Sequence, residues 1–175
     1  MSTRRPPERS IVWESAEDLA FANAVSDGWI AAIHEAGHAV IALRVGYELR
    51  DVMIANAYKC RVWLELPQDE PPAGMSTPSM FEAECDALYT LAGGVAEALR
   101  PEGDGTAHLD GWDREHFDSL GPDPATRETK VEWRDRMRAI TERVVLKNWS
   151  SIEAVARALL ERKRLTAAEV AKLVP

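Results

Sequence analysis

His34, Glu35 and His38 form a His-Glu-x-x-His pattern inside residues 29–45. The apolar residues around it, Trp29, Ile30, Ile33, Val40, Ile41 and Leu43, recur every three to four positions. That is the period of an α-helix largely buried in a core. On such a helix His34 and His38, four residues apart, project from one face one turn apart. Two imidazoles so placed suit a single Zn²⁺, each with a nitrogen about 2.0 Å from the metal. Glu35 lies on a neighbouring side, where its carboxylate reaches a metal-activated water rather than the metal. This is the general-base position of a zinc hydrolase. The alternative is a pair of satisfied core histidines, but two imidazoles and a carboxylate are costly to bury without a use. Ala36 and Gly37, between the histidines, are small. A glycine in a helix interior costs roughly 1 kcal/mol relative to alanine, and close approach of another backbone would account for it.

A catalytic zinc takes three protein ligands and keeps one position open. Downstream, His108, Asp110, Asp113 and His116 can each supply the third. Acids in a first helical turn also serve the helix dipole, so the residue types leave all four open.

Residues 34–40, His-Glu-Ala-Gly-His-Ala-Val, resemble the zinc helix of the FtsH-type peptidase family. In that family a helix ending in Gly-Gly-x-x-Ala-Glu follows, then a Gly-Ala-x-x-Asp segment whose aspartate is the third ligand. The chain has Gly93-Gly94-Val95-Ala96-Glu97, similar with one residue fewer before Ala-Glu. Residues 165–170, Leu-Thr-Ala-Ala-Glu-Val, resemble the family's ending, a leucine opening a short capped helix. The similarity covers most of residues 29–174. Residues 106–110 fit the approach to the ligand, whereas Asp113 and residues 114–120 fit the helix that continues from it. The resemblance therefore implies His34, His38 and Asp113 as metal ligands, with Asp110 as the helix cap and as the rival ligand. Full-length members also carry membrane helices and an ATPase domain. This sequence has neither, and no Gly-x-x-x-x-Gly-Lys-[Ser/Thr] phosphate loop, so it resembles the stand-alone peptidase-like form. ATP-driven degradation and the ring hexamer do not carry over.

The expected function is thus a zinc-dependent metalloendopeptidase acting on peptides or unfolded proteins, with Glu35 as general base and Zn²⁺ as cofactor. Two others stay open: a non-catalytic zinc-stabilised interaction module, and a regulatory peptidase cleaving one specific partner. Lacking an unfoldase, the protein would need disordered substrates or a helper protein. Homo-oligomers are compatible with the sequence.

Composition narrows the setting. A length of 175 residues suits one domain with a substantial core, read as residues 15–175 after a flexible polar tail over residues 1–14. A net charge of −8, with no basic face, argues against nucleic acid as a partner. No run approaches the roughly 20 apolar residues that span a bilayer, so no membrane is expected. Cys60 and Cys85 form neither a CxxC pair nor a disulfide framework, which suits a reducing cytoplasm.

The supporting elements read as mainly α with a small β-hairpin or sheet, an α+β class. A helix over residues 15–25 should break at Ser26-Asp27-Gly28, and the histidine helix should end near Gly46. Residues 52–54 and 62–66 read as strands, beside which an extended peptide could add. Residues 67–79, rich in Pro, Gly and Ser, read as a loop at the cleft rim. A strong helix over residues 78–100 contains Gly93-Gly94, which fits tight packing on the histidine helix. Further helices are expected near residues 110–120, over residues 126–148, after a Ser150 or Ser151 cap, and from the Thr166–Glu169 capping box to Leu173.

Overall fold

The histidine helix α1 spans Ala16–Arg44 in a computed structural model that describes residues 16–56, 59–64, 80–101, 103, 105–107, 109 and 111–175. The expected break at Ser26-Asp27-Gly28 does not occur. Glycine costs a helix interior about 1 kcal/mol and serine and aspartate less, and no proline removes a hydrogen bond. Packing outweighs that cost. A β-carbon placed on Gly28 would sit 3.7 Å from the Leu160 side chain, and the Arg157 guanidinium lies 5.7 Å from the centre of the Trp29 ring. The other end follows expectation. Gly46, at φ +86°, adopts the left-handed conformation. The Gly46 N–H donates to the Leu43 carbonyl at 3.3 Å and the Tyr47 N–H to the Ala42 carbonyl at 2.9 Å, the two bonds of a Schellman ending.

The turn delivers the chain into β1 (Leu49–Asn56), which pairs antiparallel with β2 (Lys59–Leu64). A third strand, β3 (Arg164–Thr166), pairs antiparallel with the other side of β1, giving the order β2-β1-β3. This strand was not expected, since residues 165–170 read as a helix start. Its reason is tertiary: Leu165 is fully buried opposite Val52, and Arg164 reaches across to buried Asp51 at 2.7 Å. The fold is mainly helical with a small antiparallel sheet, the α+β class expected.

Helix α2 (Met80–Leu99) packs on α1 through small residues from both sides. A β-carbon on Gly37 would fall 2.7 Å from the Ala92 carbonyl oxygen, so the backbones touch where glycine opens the way. Helix α3 (Gly111–Ser119) is followed by α4 (Lys130–Lys147), α5 (Trp149–Arg162) and α6 (Ala167–Leu173). Two boundaries differ from the sequence reading. Helix α4 starts at a complete Thr129–Glu132 capping box rather than at Thr126, whose N–H instead closes a turn onto the Asp123 carbonyl at 2.9 Å. Helix α5 follows directly on Asn148, which closes α4 and opens α5 without a side-chain cap hydrogen bond; Ser151 is buried inside the helix. The α6 box, Thr166 with Glu169, forms as expected.

The core joins Ile33, Val40 and Ile41 of α1 to Leu91 and Val95 of α2, Trp133 and Met137 of α4, and Ile152, Val155 and Leu159 of α5. Among the described residues, no helix is long and apolar enough to cross a membrane. The expected tail, the rim loop at residues 67–79, His108 and the Asp110 cap lie outside the described residues.

Candidate metal centre

Three elements bring the site together. His34 and His38 leave α1 on one face, as their spacing requires. Asp113 comes from the first turn of α3. Its helix is aimed by Phe117, one turn further on the same face, which is buried and stacks on Trp133 with ring centres 5.8 Å apart. Gly111, at φ +48°, lets the chain turn into α3, and the Arg114 guanidinium ties back to the Leu109 carbonyl at 2.8 Å. Helix α2 supplies the floor. A β-carbon on Gly93 would lie 2.6 Å from His34 Nε2 and closer still to His38 Nε2. Only a residue without a side chain leaves both imidazoles room.

The donor atoms form a nearly equilateral triangle. His34 Nε2 and His38 Nε2 are 3.0 Å apart, and Asp113 Oδ2 lies 3.3 Å from the first and 3.2 Å from the second. Ligands on a tetrahedral zinc with bonds of about 2.0 Å are separated by roughly 3.3 Å. The outer nitrogens fix the tautomers. His38 Nδ1 lies 2.8 Å from the Tyr89 backbone carbonyl, which can only accept, so that nitrogen carries the proton. His34 Nδ1 donates likewise to Glu97 Oε1 at 2.7 Å. With both Nδ1 atoms protonated, the neutral rings turn two Nε2 lone pairs towards each other and towards a carboxylate oxygen. Three acceptors at this spacing repel unless a cation sits among them. The residues therefore fit a zinc ion, with carboxylate and carbonyl partners holding the histidines as metal-bound histidines are usually held.

The same crowding governs protonation when no metal is bound. Burial lowers the His34 pKa, but hydrogen bonds to Asp113 and Glu97 and the charge of Glu35 outweigh it and push it up to about 10. Burial raises the Asp113 pKa, yet the two imidazoles hold it well below the usual carboxylate range. A folded pKa above the unfolded one means that metal-free His34 stabilises the fold fully below about pH 6.5, a contribution lost as pH rises through about 10. Zinc must displace that proton. Calorimetric titration of the metal-free protein near pH 7, in buffers of different protonation enthalpy, should show about one proton released per zinc, with apparent affinity rising roughly tenfold per pH unit.

Glu35 is buried beside the triangle and lines the same cleft, of about 470 Å³, with Tyr89, Arg61, Val62 and Trp112. Burial is the main cause raising its pKa, helped by Asp113 and Glu97 against the opposing pull of His38 and His34. Among the described residues no hydrogen bond engages its carboxylate, which leaves it free to take a proton within the cleft.

Of the four third-ligand candidates, only Asp113 is placed at the triangle among the described residues. His116 instead stacks flat on Trp112, ring centres 4.6 Å apart; His108 and Asp110 lie outside those residues. The roles of Glu97 and of the Tyr89 carbonyl were not anticipated. The available signal was their spacing: Tyr89, Gly93 and Glu97 are each four residues apart and share one face of α2.

Comparison with protein-family models finds no match to the chain, and comparison with curated proteins finds none.

Proposed function

We propose that the protein is a zinc-dependent metalloendopeptidase of the FtsH-type class in its stand-alone form. The observation that carries this reading is the convergence of two imidazole lone pairs and a carboxylate, with a second carboxyl group, Glu35, beside them and unengaged among the described residues. A structural zinc site has no use for that last group, since four ligands close it. Here the three converging groups line an open cleft.

His34, His38 and Asp113 would hold the ion. Bound there, zinc supplies Lewis acidity and brings the pKa of water down to about 7. Glu35 accepts the proton of the attacking water and returns it to the leaving amine. It is buried in the cleft and makes no hydrogen bond to another described residue, so its carboxylate is free for both halves of that exchange. Glu97 and the Tyr89 carbonyl keep the imidazoles in the required tautomer and orientation. Among the described residues, strand β2 lies at the sheet edge and contributes Arg61 and Val62 to the cleft wall. An extended peptide or unfolded segment can add there as a further strand, its side chains alternating into the cleft. Folded substrates would need a helper protein to unfold them.

The test is hydrolysis of an unstructured, fluorescence-quenched protein by the zinc-loaded chain. Cleavage should disappear with a chelator and return with added zinc. Full zinc occupancy without cleavage of unstructured proteins would favour the interaction module or a peptidase restricted to one partner.

A further inference from the structure

Peptide hydrolysis needs more than a base. As water adds to the carbonyl, charge gathers on the oxygen, and a donor aimed at that oxygen lowers the barrier. Helix α2 brings one phenol to the wall of the cleft. The Tyr89 ring is wedged between His38, 5.2 Å between ring centres, and Tyr47, 5.9 Å and edge-on. Tyr47 is itself held by its hydroxyl, which donates to Asp86. Tyr89 is 8% exposed, and what remains open faces the cleft shared with Glu35 and Asp113. Among the described residues, no hydrogen bond engages its hydroxyl. The hydroxyl is not among the side-chain oxygens closed off from solvent, so it stays open to a partner in the cleft.

We propose that Tyr89 is a catalytic residue of the peptidase reaction, its hydroxyl donating a hydrogen bond to the substrate carbonyl oxygen as that oxygen becomes negative. This rests on the metallopeptidase reading above. No proton leaves the tyrosine: it donates a hydrogen bond that strengthens in the transition state, while Glu35 alone moves a proton. An ordinary phenol keeps its proton to well above neutral pH, so it remains a donor throughout the working range. The rival cation in the cleft wall, Arg61, is exposed on β2 and lies over the Trp63 ring, 5.5 Å from its centre.

Tyr89→Phe keeps the ring and its packing and removes only the hydroxyl. In the zinc-loaded full chain, kcat for a quenched peptide should fall about 10²- to 10³-fold. KM, zinc content and affinity for the product peptide should stay within about twofold, whereas affinity for a phosphinic peptide, a mimic of the tetrahedral oxygen, should fall with kcat. Circular dichroism checks that the variant is folded. Wild-type kcat in Tyr89→Phe, a loss of zinc or of product binding equal to the loss of kcat, or a large kcat loss confined to Arg61→Ala would each overturn the assignment. A wild-type chain that carries zinc and cleaves nothing overturns the metallopeptidase reading, and Tyr89's role with it. Cleavage unaffected by Tyr89→Phe overturns the Tyr89 proposal alone.

Discussion

Glu35→Gln should leave zinc binding intact and lower kcat by about 10²- to 10⁴-fold, the range that removal of a general base commonly costs. The amide matches the carboxylate in shape, so the packing of a residue 7% exposed is preserved. It cannot accept a proton. Glu35 is not one of the three converging ligands, so metal content should not change. The substitution thus separates chemistry from metal retention. The check is kcat at saturating peptide beside zinc stoichiometry of the same sample. An active Glu35→Gln protein would remove Glu35 from the mechanism; zinc lost with activity would mean that the carboxylate acts as a ligand.

Gly93→Ala should empty the site without unfolding the chain. Alanine favours the helix by up to about 1 kcal/mol, which offsets part of the local crowding. The new methyl group, however, would stand 2.6 Å from His34 Nε2 and 2.8 Å from His34 Cδ2, and closest to His38 Nε2. The rings must swing away from the ligand triangle, and His34 must also abandon its 2.7 Å bond to Glu97. Loss of such an outer partner alone weakens metal binding 10- to 100-fold, so a shift of both ligands should cost at least about 100-fold. Zinc titration against a competing chelator measures it. Gly37→Ala should behave differently. Its methyl group would meet the Ala92 carbonyl at 2.7 Å, backbone that cannot swing aside, so thermal unfolding should shift rather than metal affinity alone. Equal zinc affinity in Gly93→Ala and wild type would mean that the floor of the site is not as close as described.

How much of this was legible in the sequence depends on distance along the chain. His34, Glu35 and His38 were readable because their relation is set by one helical turn. Gly37 and Gly93 were readable as close-packing signals, though not that one glycine admits a backbone carbonyl and the other admits the imidazoles. The choice of Asp113 over Asp110 needed family likeness, because residue type alone cannot say which side chain a turn will aim inward. The structure places Asp113 at the triangle and has Phe117 anchoring its helix. Glu97, 63 residues from His34, could only be found by seeing that it shares a face with Gly93. The continuous α1 and the strand β3 are not legible locally, because breakers and a capping box carry no sign of the long-range packing of Leu160 and Leu165 that outweighs them. The Thr129–Glu132 box, by contrast, was present in the sequence and simply lies three residues beyond the helix start chosen from apolar spacing.

The central claim is a metal held by two histidines and one aspartate, and metal analysis of the purified chain tests it most directly. Wild type, His38→Ala and Asp113→Ala should be loaded with zinc, dialysed and analysed side by side, with circular dichroism to confirm folding. One zinc per wild-type chain and none retained in either variant is the expected result. Zinc retained by folded Asp113→Ala would move the third ligand elsewhere, and no zinc in folded wild type would contradict the metal centre itself.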